Sequence, residues 1–352
     1  MRLESVLSLK QELASAFTTE SDPVPGVFAT VTTRASRTSA FARRIDVTHT
    51  RRPESVSVAL GVAEGRSRND FRLGARVQLS GARAQKVAEE LAEAAHGEAD
   101  VRIVPRVRKR AGPTPAWFRR RRRPLESGVS IGHVGVTAGT LGFVVEDDDA
   151  YYVLSNNHVL ANVNAGAPGD PVVQPGPLDI GPRKKPRPEH LVAVLDRFVP
   201  ISFQRANVVD CAVAELLPDL EFFAGWTEAL PGLVRGVKEV TVDDLGRPVT
   251  KAGRTTAVRD GTITQVDIDR LRVDMGDKTE RIALFSGQIE VVGTTLPFSD
   301  GGDSGSLIVD SEGFARALLF AGGPEQGTGR DLTYANQLRT VLDKLGVELT
   351  LP

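Results

Sequence analysis

Disulfides, membrane spans and an export signal are all missing from this chain of 352 residues. Its single cysteine, Cys211, excludes an intrachain disulfide. No run of 18 apolar residues is present, so we expect no membrane-spanning helix. The charged, periodic start Met1–Lys10 lacks the uninterrupted apolar core of a secretory signal peptide. Together these absences favour a cytoplasmic protein that is stabilised by packing alone.

Spacings typical of a metal site are also missing. The acidic run Glu146–Asp149 could bind a cation, but it lacks the ligand spacing of an EF-hand. It lies between two apolar stretches, 140–145 and 151–154, and a hairpin turn between two strands explains it better. We therefore expect neither a metal nor a cofactor.

Three short segments carry the residue types of nucleophilic catalysis. They contain His158 in Leu154-Ser-Asn-Asn-His-Val-Leu, Asp210 in Asn207-Val-Val-Asp-Cys-Ala-Val, and Ser304 in Gly301-Gly-Asp-Ser-Gly-Ser. A serine attacks a carbonyl only when an imidazole accepts its proton and a carboxylate orients that imidazole. Taken singly, each residue fits an ordinary core or turn position. Their order along the chain predicts a His158–Asp210–Ser304 catalytic triad.

These segments carry a family resemblance. The segment around His158 is similar to that of HtrA-type proteases, and the turn at Ser304 resembles the serine turn of trypsin-fold and glutamyl endopeptidases. Gly253-Arg-Thr-Thr resembles the streptogrisin and α-lytic protease hairpin, and Ser130–Gly142 resembles the opening of narrow-leaf-type trypsin-like proteins. The resemblance covers about residues 128–350 and implies a mainly β, chymotrypsin-like double β-barrel with a C-terminal helix.

The resemblance also assigns roles around the serine. It implies an oxyanion hole formed by the backbone N–H groups of Gly302 and Ser304. Asp303 resembles the residue that pairs with a new N-terminus in activated trypsins, but no activation site is evident, so we expect a partner within the fold. It matches Thr250 and Asp260 to two cysteines that clamp the streptogrisin hairpin.

A specificity pocket is implied as well. Phe298 takes the place at the base of the primary pocket, Ser299 follows it, and Ala321 and Gly322 form a wall. None of these residues is acidic, so we expect small or medium apolar side chains before the scissile bond rather than Lys or Arg.

Hydrophobic periodicity divides the chain into four parts. Residues 1–20 are predicted to contain an amphipathic helix, and 54–108 to form a small α+β domain with strands, a helix over 82–95 and a strand over 101–107. Residues 109–127 read as a basic linker rich in Pro and Arg, and 128–352 as the trypsin-like domain. Its second barrel is predicted to include a strand over 271–275, and its C-terminal helix is predicted over 334–345.

Charge is divided unevenly between the two halves. Residues 1–124 carry 24 Lys and Arg against 13 Asp and Glu, whereas the remainder carries 20 against 32. The basic runs 106–110 and 119–123 could bind nucleic acid, act as a solvated linker, or dock on an acidic face of the same chain or of another copy. We favour the linker or self-docking over nucleic acid, because few aromatic residues accompany the arginines.

The sequence thus predicts a serine endopeptidase that acts on protein or peptide substrates through an acyl-enzyme, with a homo-oligomer as one expected assembly. Two alternatives stay open. One is a protease-fold binding scaffold with latent activity, and the other is a protease recruited by nucleic acid.

Overall fold

The computed structural model gives two β-barrels and an N-terminal unit with α-helices. It describes the following residues: 1–16, 57–67, 69–105, 107, 116–181, 185–223, 225, 234–276 and 279–351. The basic run 106–110, apart from Val107, and the ends of the predicted N-terminal parts lie outside them.

The first barrel is a curled sheet of eight strands. Apolar residues at alternate positions fill its interior, among them Ile131, Val153, Val192 and Leu195. In spatial order the strands are β20 (Glu348–Leu349), β6 (Phe143–Glu146), β7 (Tyr151–Ser155), β10 (Ala212–Leu216), β9 (Leu191–Phe198), β8 (Pro171–Val173), β4 (Ser130–His133) and β5 (Gly139–Thr140).

The acidic run forms the predicted hairpin turn between β6 and β7. The Asp147 carboxylate accepts hydrogen bonds from the N–H groups of Asp149 and Ala150 at 3.0 and 3.1 Å. The carboxylate therefore closes the turn by capping backbone amides.

The second barrel is closed by six strands. They follow the order β12, β17, β18, β19, β16 and β13, and β13 pairs back with β12. The bounds are Pro248–Gly253 (β12), Ala257–Asp269 (β13), Gln288–Gly293 (β16), Leu307–Asp310 (β17), Phe314–Pro324 (β18) and Asp331–Gln337 (β19). The short β11 (Gly236–Val237) pairs with β18.

Two predictions for the second barrel need correction. The stretch predicted as a helix over 334–345 is strand β19 up to Gln337, and the helix spans only Leu338–Leu345. The strand wins because β19 lies between β16 and β18 and completes their hydrogen bonding. The segment Leu271–Met275, predicted as a barrel strand, instead forms β14 (Leu271–Asp274), which pairs only with β15 (Ile282–Phe285) in a separate hairpin.

Among the described residues, six helices accompany the strands, and the last of them packs between the two barrels. The helices are α1 (Leu3–Ala16), α2 (Gly81–Ala94), α3 (Ala116–Arg119), α4 (Asn157–Leu160), α5 (Pro177–Ile180) and α6 (Leu338–Leu345), with 3₁₀ turns at Pro188–His190 and Val242–Asp244. Helix α6 packs into an apolar cluster that draws Phe143 and Leu154 from the first barrel and Leu307 and Leu318 from the second. No described helix is long and apolar enough to span a membrane.

The N-terminal unit extends the sheet of the second barrel. Its strands are β1 (Val58–Glu64), β2 (Phe71–Val77) and β3 (Ala99–Ile103); α2 connects the parallel pair β2 and β3. Strand β1 is paired with β2 on one side and with β13 of the barrel on the other. Both backbone edges of β1 are therefore occupied, and the α+β unit and the second barrel share one continuous sheet.

Basic side chains of the first 124 residues contact acidic groups of the barrels. Lys10 lies 2.6 Å from Asp267, and Arg119 lies 3.9 Å from Asp179. The Arg123 guanidinium donates to Gln174 Oε1 at 2.7 Å, and its pKa is lowered to about 10 by burial and by the neighbouring charge of Arg121. Lys10 and Arg119 thus contact carboxylates of the barrels within one chain.

Candidate functional site

His158 and Asp210 meet because two paired strands bring them together. Strands β7 and β10 are antiparallel, with Ser155 opposite Ala212. His158 follows β7 in the short helix α4, and Asp210 precedes β10, so both lie at the same end of this pair. The His158 Nδ1 and Asp210 Oδ2 atoms are 2.5 Å apart.

Asp210 is fully buried and fixed by its backbone as well as by its carboxylate. Its Oδ1 accepts from the His158 N–H at 3.2 Å, and its own N–H donates to Asn336 Oδ1 at 2.9 Å. Asn156 Nδ2 donates to its carbonyl at 2.7 Å. Because Asp210 binds Nδ1, the second ring nitrogen of His158, Nε2, is available to exchange a proton with another group.

Ser304 lies in a glycine-rich turn that packs against the first barrel. The Thr140 N–H donates to the Ser304 carbonyl at 2.8 Å. The next residue, Gly305, has φ of +94°, and a Cβ there would lie only 2.1 Å from Ser155 Oγ. Glycine is therefore required where the serine turn approaches β7.

The Ser304 hydroxyl does not bond to His158 in this structure. Its Oγ donates to the Phe320 carbonyl at 3.3 Å, the one hydrogen bond it makes among the described residues. Both side chains border the surface, with exposed fractions of 6% for His158 and 4% for Ser304. The structure thus pairs His158 with Asp210 and places the serine turn against β7, the strand that leads to His158, without a hydrogen bond between Ser304 and His158.

Two backbone amides beside Ser304 have no acceptor within the described part of the chain. They are the N–H groups of Gly302 and Ser304. The Asp303 carbonyl is taken by Ser306, whose Oγ and N–H donate to it at 2.6 and 2.9 Å. Because the C=O and N–H of a trans peptide point in opposite directions, this holds the Ser304 N–H away from Ser306.

Asp303 has the partner within the fold that the sequence predicts, and that partner is Lys251. The Lys251 Nζ and Asp303 Oδ2 atoms are 2.9 Å apart, and both side chains are fully buried. Asp303 also accepts from the Thr255 N–H at 2.7 Å and the Thr256 hydroxyl at 2.7 Å. Burial alone would raise the pKa of Asp303, but the charge of Lys251 and these donors lower it.

A second ion pair joins the two barrels next to this turn. Arg254 Nε and Nη2 each lie 2.7 Å from an oxygen of Asp179, and both side chains are almost fully buried. Asp179 belongs to α5, in the chain of the first barrel, whereas Arg254 follows β12 of the second. The pair therefore fixes the hairpin 253–256 against the other barrel.

Residues predicted for the specificity pocket are divided between two environments. Phe298 is fully buried in the apolar interior of the second barrel with Ile263 and Val291. The Ser299 hydroxyl is hydrogen-bonded to the Thr333 hydroxyl at 2.7 Å, and both are buried. Ala321 is buried on β18 and Gly322 follows it.

Several site residues were missed by the sequence interpretation, notably Lys251, Thr255, Thr140 and Asp179. Lys251 could have been found from the sequence, because it is the one charged residue in the otherwise uncharged strand segment Pro248–Gly253. Asp179 had none, because its partner is 75 residues away.

The hairpin positions matched to cysteines of relatives hold a polar pair here. Thr250 and Asp260 face each other in register, and Thr250 Oγ1 donates to Asp260 Oδ1 at 2.7 Å. A hydrogen bond thus occupies the position of the disulfide that the resemblance implies for secreted relatives.

Among the described residues, no group of three or more His, Cys, Asp or Glu side chains is arranged to bind a metal ion. Cys211 is buried, and burial raises the pKa of its thiol well above the ordinary value.

Comparisons with known proteins gave matches among solved structures alone. No family model matches this chain, and no curated protein matches it. Thermobifida fusca Protease A is 17% identical, with a TM-score of 0.45, covering 65% of this chain and 99% of its own. Cellulomonas bogoriensis chymotrypsin is 17% identical, with a TM-score of 0.42, covering 64% and 97%. A glutamic acid-specific serine protease is 17% identical, with a TM-score of 0.44, covering 64% and 100%.

The strand topology defines the fold independently of these matches. The closed six-stranded barrel, the curled first sheet and the helix after the last barrel strand are the elements that the sequence predicts for residues 128–352. The site lies where the two barrels meet. The chain has a chymotrypsin-like double β-barrel fold.

Proposed function

We propose that the protein is a serine endopeptidase in which Ser304 is the nucleophile, His158 the general base and Asp210 the orienting carboxylate. The contact that carries the proposal is the 2.5 Å hydrogen bond between His158 Nδ1 and buried Asp210, within the site that also receives Ser304. A buried carboxylate at Nδ1 holds the imidazole in the tautomer that accepts a proton at Nε2.

The mechanism follows from these positions. The Ser304 Oγ attacks the scissile carbonyl carbon and transfers its proton to His158 Nε2, which gives a tetrahedral intermediate. His158 then protonates the departing amine, and an acyl-enzyme on Ser304 remains. Water activated by His158 hydrolyses the ester and restores the serine. The Ser304–His158 hydrogen bond is expected to form with substrate, since catalytic hydrogen bonds are often long or misaligned in its absence.

The free amides of Gly302 and Ser304 would stabilise the oxyanion. Each N–H lacks an acceptor among the described residues, and Ser306 fixes the peptide that precedes Ser304. Such donors act most strongly when they are oriented before the reaction, and each commonly contributes about 10²–10³ in rate.

Peptides with a small or medium apolar residue before the scissile bond are the proposed substrates. The Ser299 and Thr333 hydroxyls bond to each other, and no acidic side chain occurs among Phe298, Ser299, Ala321 and Gly322. A peptide library profiled by mass spectrometry should show Ala, Val or similar residues at that position, whereas dominance of Lys or Arg would contradict this preference.

Covalent labelling tests the proposed function. A fluorophosphonate should label the wild-type protein, and peptide mapping should place the adduct on Ser304. Ser304→Ala should abolish the labelling, because loss of the nucleophile typically costs about 10⁶ in turnover. Circular dichroism would show that the variant remains folded.

One observation favours a second candidate, a protease-fold binding scaffold with latent activity. The Ser304 hydroxyl donates to Phe320 rather than to His158. A folded wild-type protein that is not labelled, while trypsin in the same reaction is, would support the scaffold and overturn the endopeptidase.

A further inference from the structure

The hydroxyl of Thr255 holds the peptide bond that precedes Gly302. Thr255 Oγ1 donates to the Gly301 carbonyl at 2.5 Å, and it is the one donor to that carbonyl among the described residues. The side chain is almost fully buried, so water does not compete for this carbonyl. The contact fixes the orientation of the Gly301–Gly302 peptide.

The direction of the hydroxyl proton is set by a neighbouring cation. Arg254 Nη1 donates to Thr255 Oγ1 at 3.1 Å, and a guanidinium cannot accept a proton in return. The single proton of the hydroxyl is therefore available for Gly301. Arg254 is itself held by both oxygens of Asp179, so the chain of contacts begins in the first barrel.

This peptide needs a restraint because both of its residues are glycines. Gly302 has φ of +95°, a conformation that costs glycine little but that glycine also leaves easily. The C=O and N–H of a trans peptide point in opposite directions. While Thr255 holds the Gly301 carbonyl, the Gly302 N–H must point the other way, towards the position where an oxyanion would form.

The following carbonyl is held as well, from the opposite barrel. Thr140 Oγ1 donates to the Gly302 carbonyl at 2.7 Å, while the Arg254 N–H donates to Thr140 Oγ1 at 3.0 Å. Two threonines, one from each barrel, therefore restrain the peptides on both sides of Gly302.

We propose that Thr255 is a positioning residue that keeps the oxyanion hole formed before substrate binds, with Thr140 restraining the adjoining peptide. Thr255 touches neither substrate nor the reacting atoms and acts through the Gly302 N–H. The proposal rests on the proposed endopeptidase function. It predicts that the hydroxyl of Thr255, and not its size, determines the rate of attack by Ser304.

The test compares Thr255→Val, which keeps the shape and removes the hydroxyl, with Thr255→Ser, which keeps the hydroxyl. The reagent is a fluorophosphonate, whose phosphoryl oxygen must be polarised by the oxyanion hole. We expect Thr255→Val to lower the maximal labelling rate by about 10², the effect of losing one oxyanion donor, with little change in the concentration for half-maximal rate. Thr255→Ser should restore the rate to within about threefold of wild type.

Thr250→Val is the matched control. It removes a hydroxyl from the same hairpin, where Thr250 donates to Asp260 away from Gly301, and its labelling should equal wild type. Equal rates for Thr255→Val and wild type would overturn the proposal. So would a Thr255→Ser protein as slow as the valine variant, because a structural role for the side chain would then account for the loss.

Crystal structures of wild type and Thr255→Val separate this proposal from the proposed function. If wild type is not labelled on Ser304, the endopeptidase fails, and the orientation of the Gly301–Gly302 peptide still decides the role of Thr255. A rotated peptide in the valine variant supports the proposal. An unchanged peptide contradicts it.

Discussion

Two of the buried ion pairs that involve the second barrel lie in different surroundings. Lys251 and Asp303 lie beneath the serine turn, and Arg76 and Glu290 lie where the N-terminal strands extend the barrel sheet. All four side chains are fully buried, and the closest N–O distances are 2.9 and 2.6 Å. A buried ion pair therefore lies beneath the candidate site in one region. In the other region it lies where the N-terminal strands join the barrel sheet, which is called the docking face below.

The two regions differ in how completely their polar groups are satisfied. Asp303 receives Lys251, two backbone N–H groups of the hairpin, the Thr256 hydroxyl and the Asp300 N–H. At the docking face, the buried amide of Gln265 makes no hydrogen bond with the described residues, although it lies opposite Glu290 in register. The Asp303 carboxylate beneath the serine turn is therefore fully bonded, whereas the docking face leaves a buried side-chain amide without a partner among the described residues. Changes in the first region should alter rate, and changes in the second should alter stability.

Apart from removal of the nucleophile itself, the largest effect on rate is expected from Asp210→Asn. The amide would hold His158 in the wrong tautomer, and turnover should fall by roughly 10⁴ while the unfolding transition stays close to that of wild type. Kinetics of fluorophosphonate labelling together with thermal unfolding would measure both. A rate equal to wild type would point to a carboxylate other than Asp210; Asp196, one such candidate, contacts Arg197 instead.

Alkaline pH should weaken the ion pair beneath the serine turn. Burial lowers the pKa of Lys251 below its ordinary value of 10.5, although Asp303 opposes that shift. As pH rises through the lowered pKa, Lys251 loses its charge, Asp303 is left unpaired, and labelling should decline. Lys251→Arg should move this decline upward, because arginine stays protonated.

Acid pH should weaken the same ion pair through Asp303, whose contribution to stability is lost as pH falls. The pKa of Asp303 is lowered, so its contribution to stability is complete above the ordinary carboxyl value of 3.8 and is lost as pH falls through the lowered pKa. For the alkaline prediction, a pH–rate profile that is identical for wild type and Lys251→Arg up to pH 10.5 would contradict the role given to Lys251.

At the docking face, Arg76→Met should act on stability alone. It leaves the carboxylate of Glu290 buried without its partner, a change that typically costs about 3–5 kcal/mol. Urea unfolding should show this loss, while the labelling rate of the folded fraction should remain within about twofold of wild type. An Arg76→Met protein with wild-type stability and slow labelling would contradict the assignment of stability effects to this region and rate effects to the serine turn.

The smallest effect is expected from replacing Arg119–Arg123 with Ser. Two contacts of these arginines are exposed: Arg121 and Arg123 each donate to the Glu189 carbonyl, at 3.2 and 3.3 Å. Exposed pairs contribute about 0–1 kcal/mol each and are screened by salt. Sedimentation and labelling at low and high salt should show a small shift that salt reproduces. Identical behaviour throughout would leave the arginines as a solvated linker.

The sequence predicted the candidate site residues and the double-barrel fold. His158, Asp210 and Ser304 were singled out because acyl transfer needs those residue types, and their catalytic role stays a prediction. The double barrel that the family resemblance implied is confirmed by the strand topology. Strand β19 was mistaken for helix because the apolar spacing from Tyr334 through helix α6 fits both periods over so short a stretch.

Long-range pairing could not be predicted from local pattern. Strand β1 is buried along almost its whole length, which is typical of a strand with neighbours on both sides, yet nothing in Val58–Glu64 names β13 as the second neighbour. The contact between Asp179 and Arg254 likewise depends on how the two barrels pack. These features belong to tertiary structure rather than to any local signal.

The most direct test of the account compares Asp303→Asn with Glu290→Gln, the same loss of one charge from each buried pair. We expect Asp303→Asn to slow fluorophosphonate labelling of Ser304 by about 10² or more, since the serine turn would lose its ionic restraint. Glu290→Gln should label at the wild-type rate and unfold at lower urea. Equal labelling by the two variants, or slow labelling by Glu290→Gln alone, would contradict the assignment of the Lys251–Asp303 pair to the site.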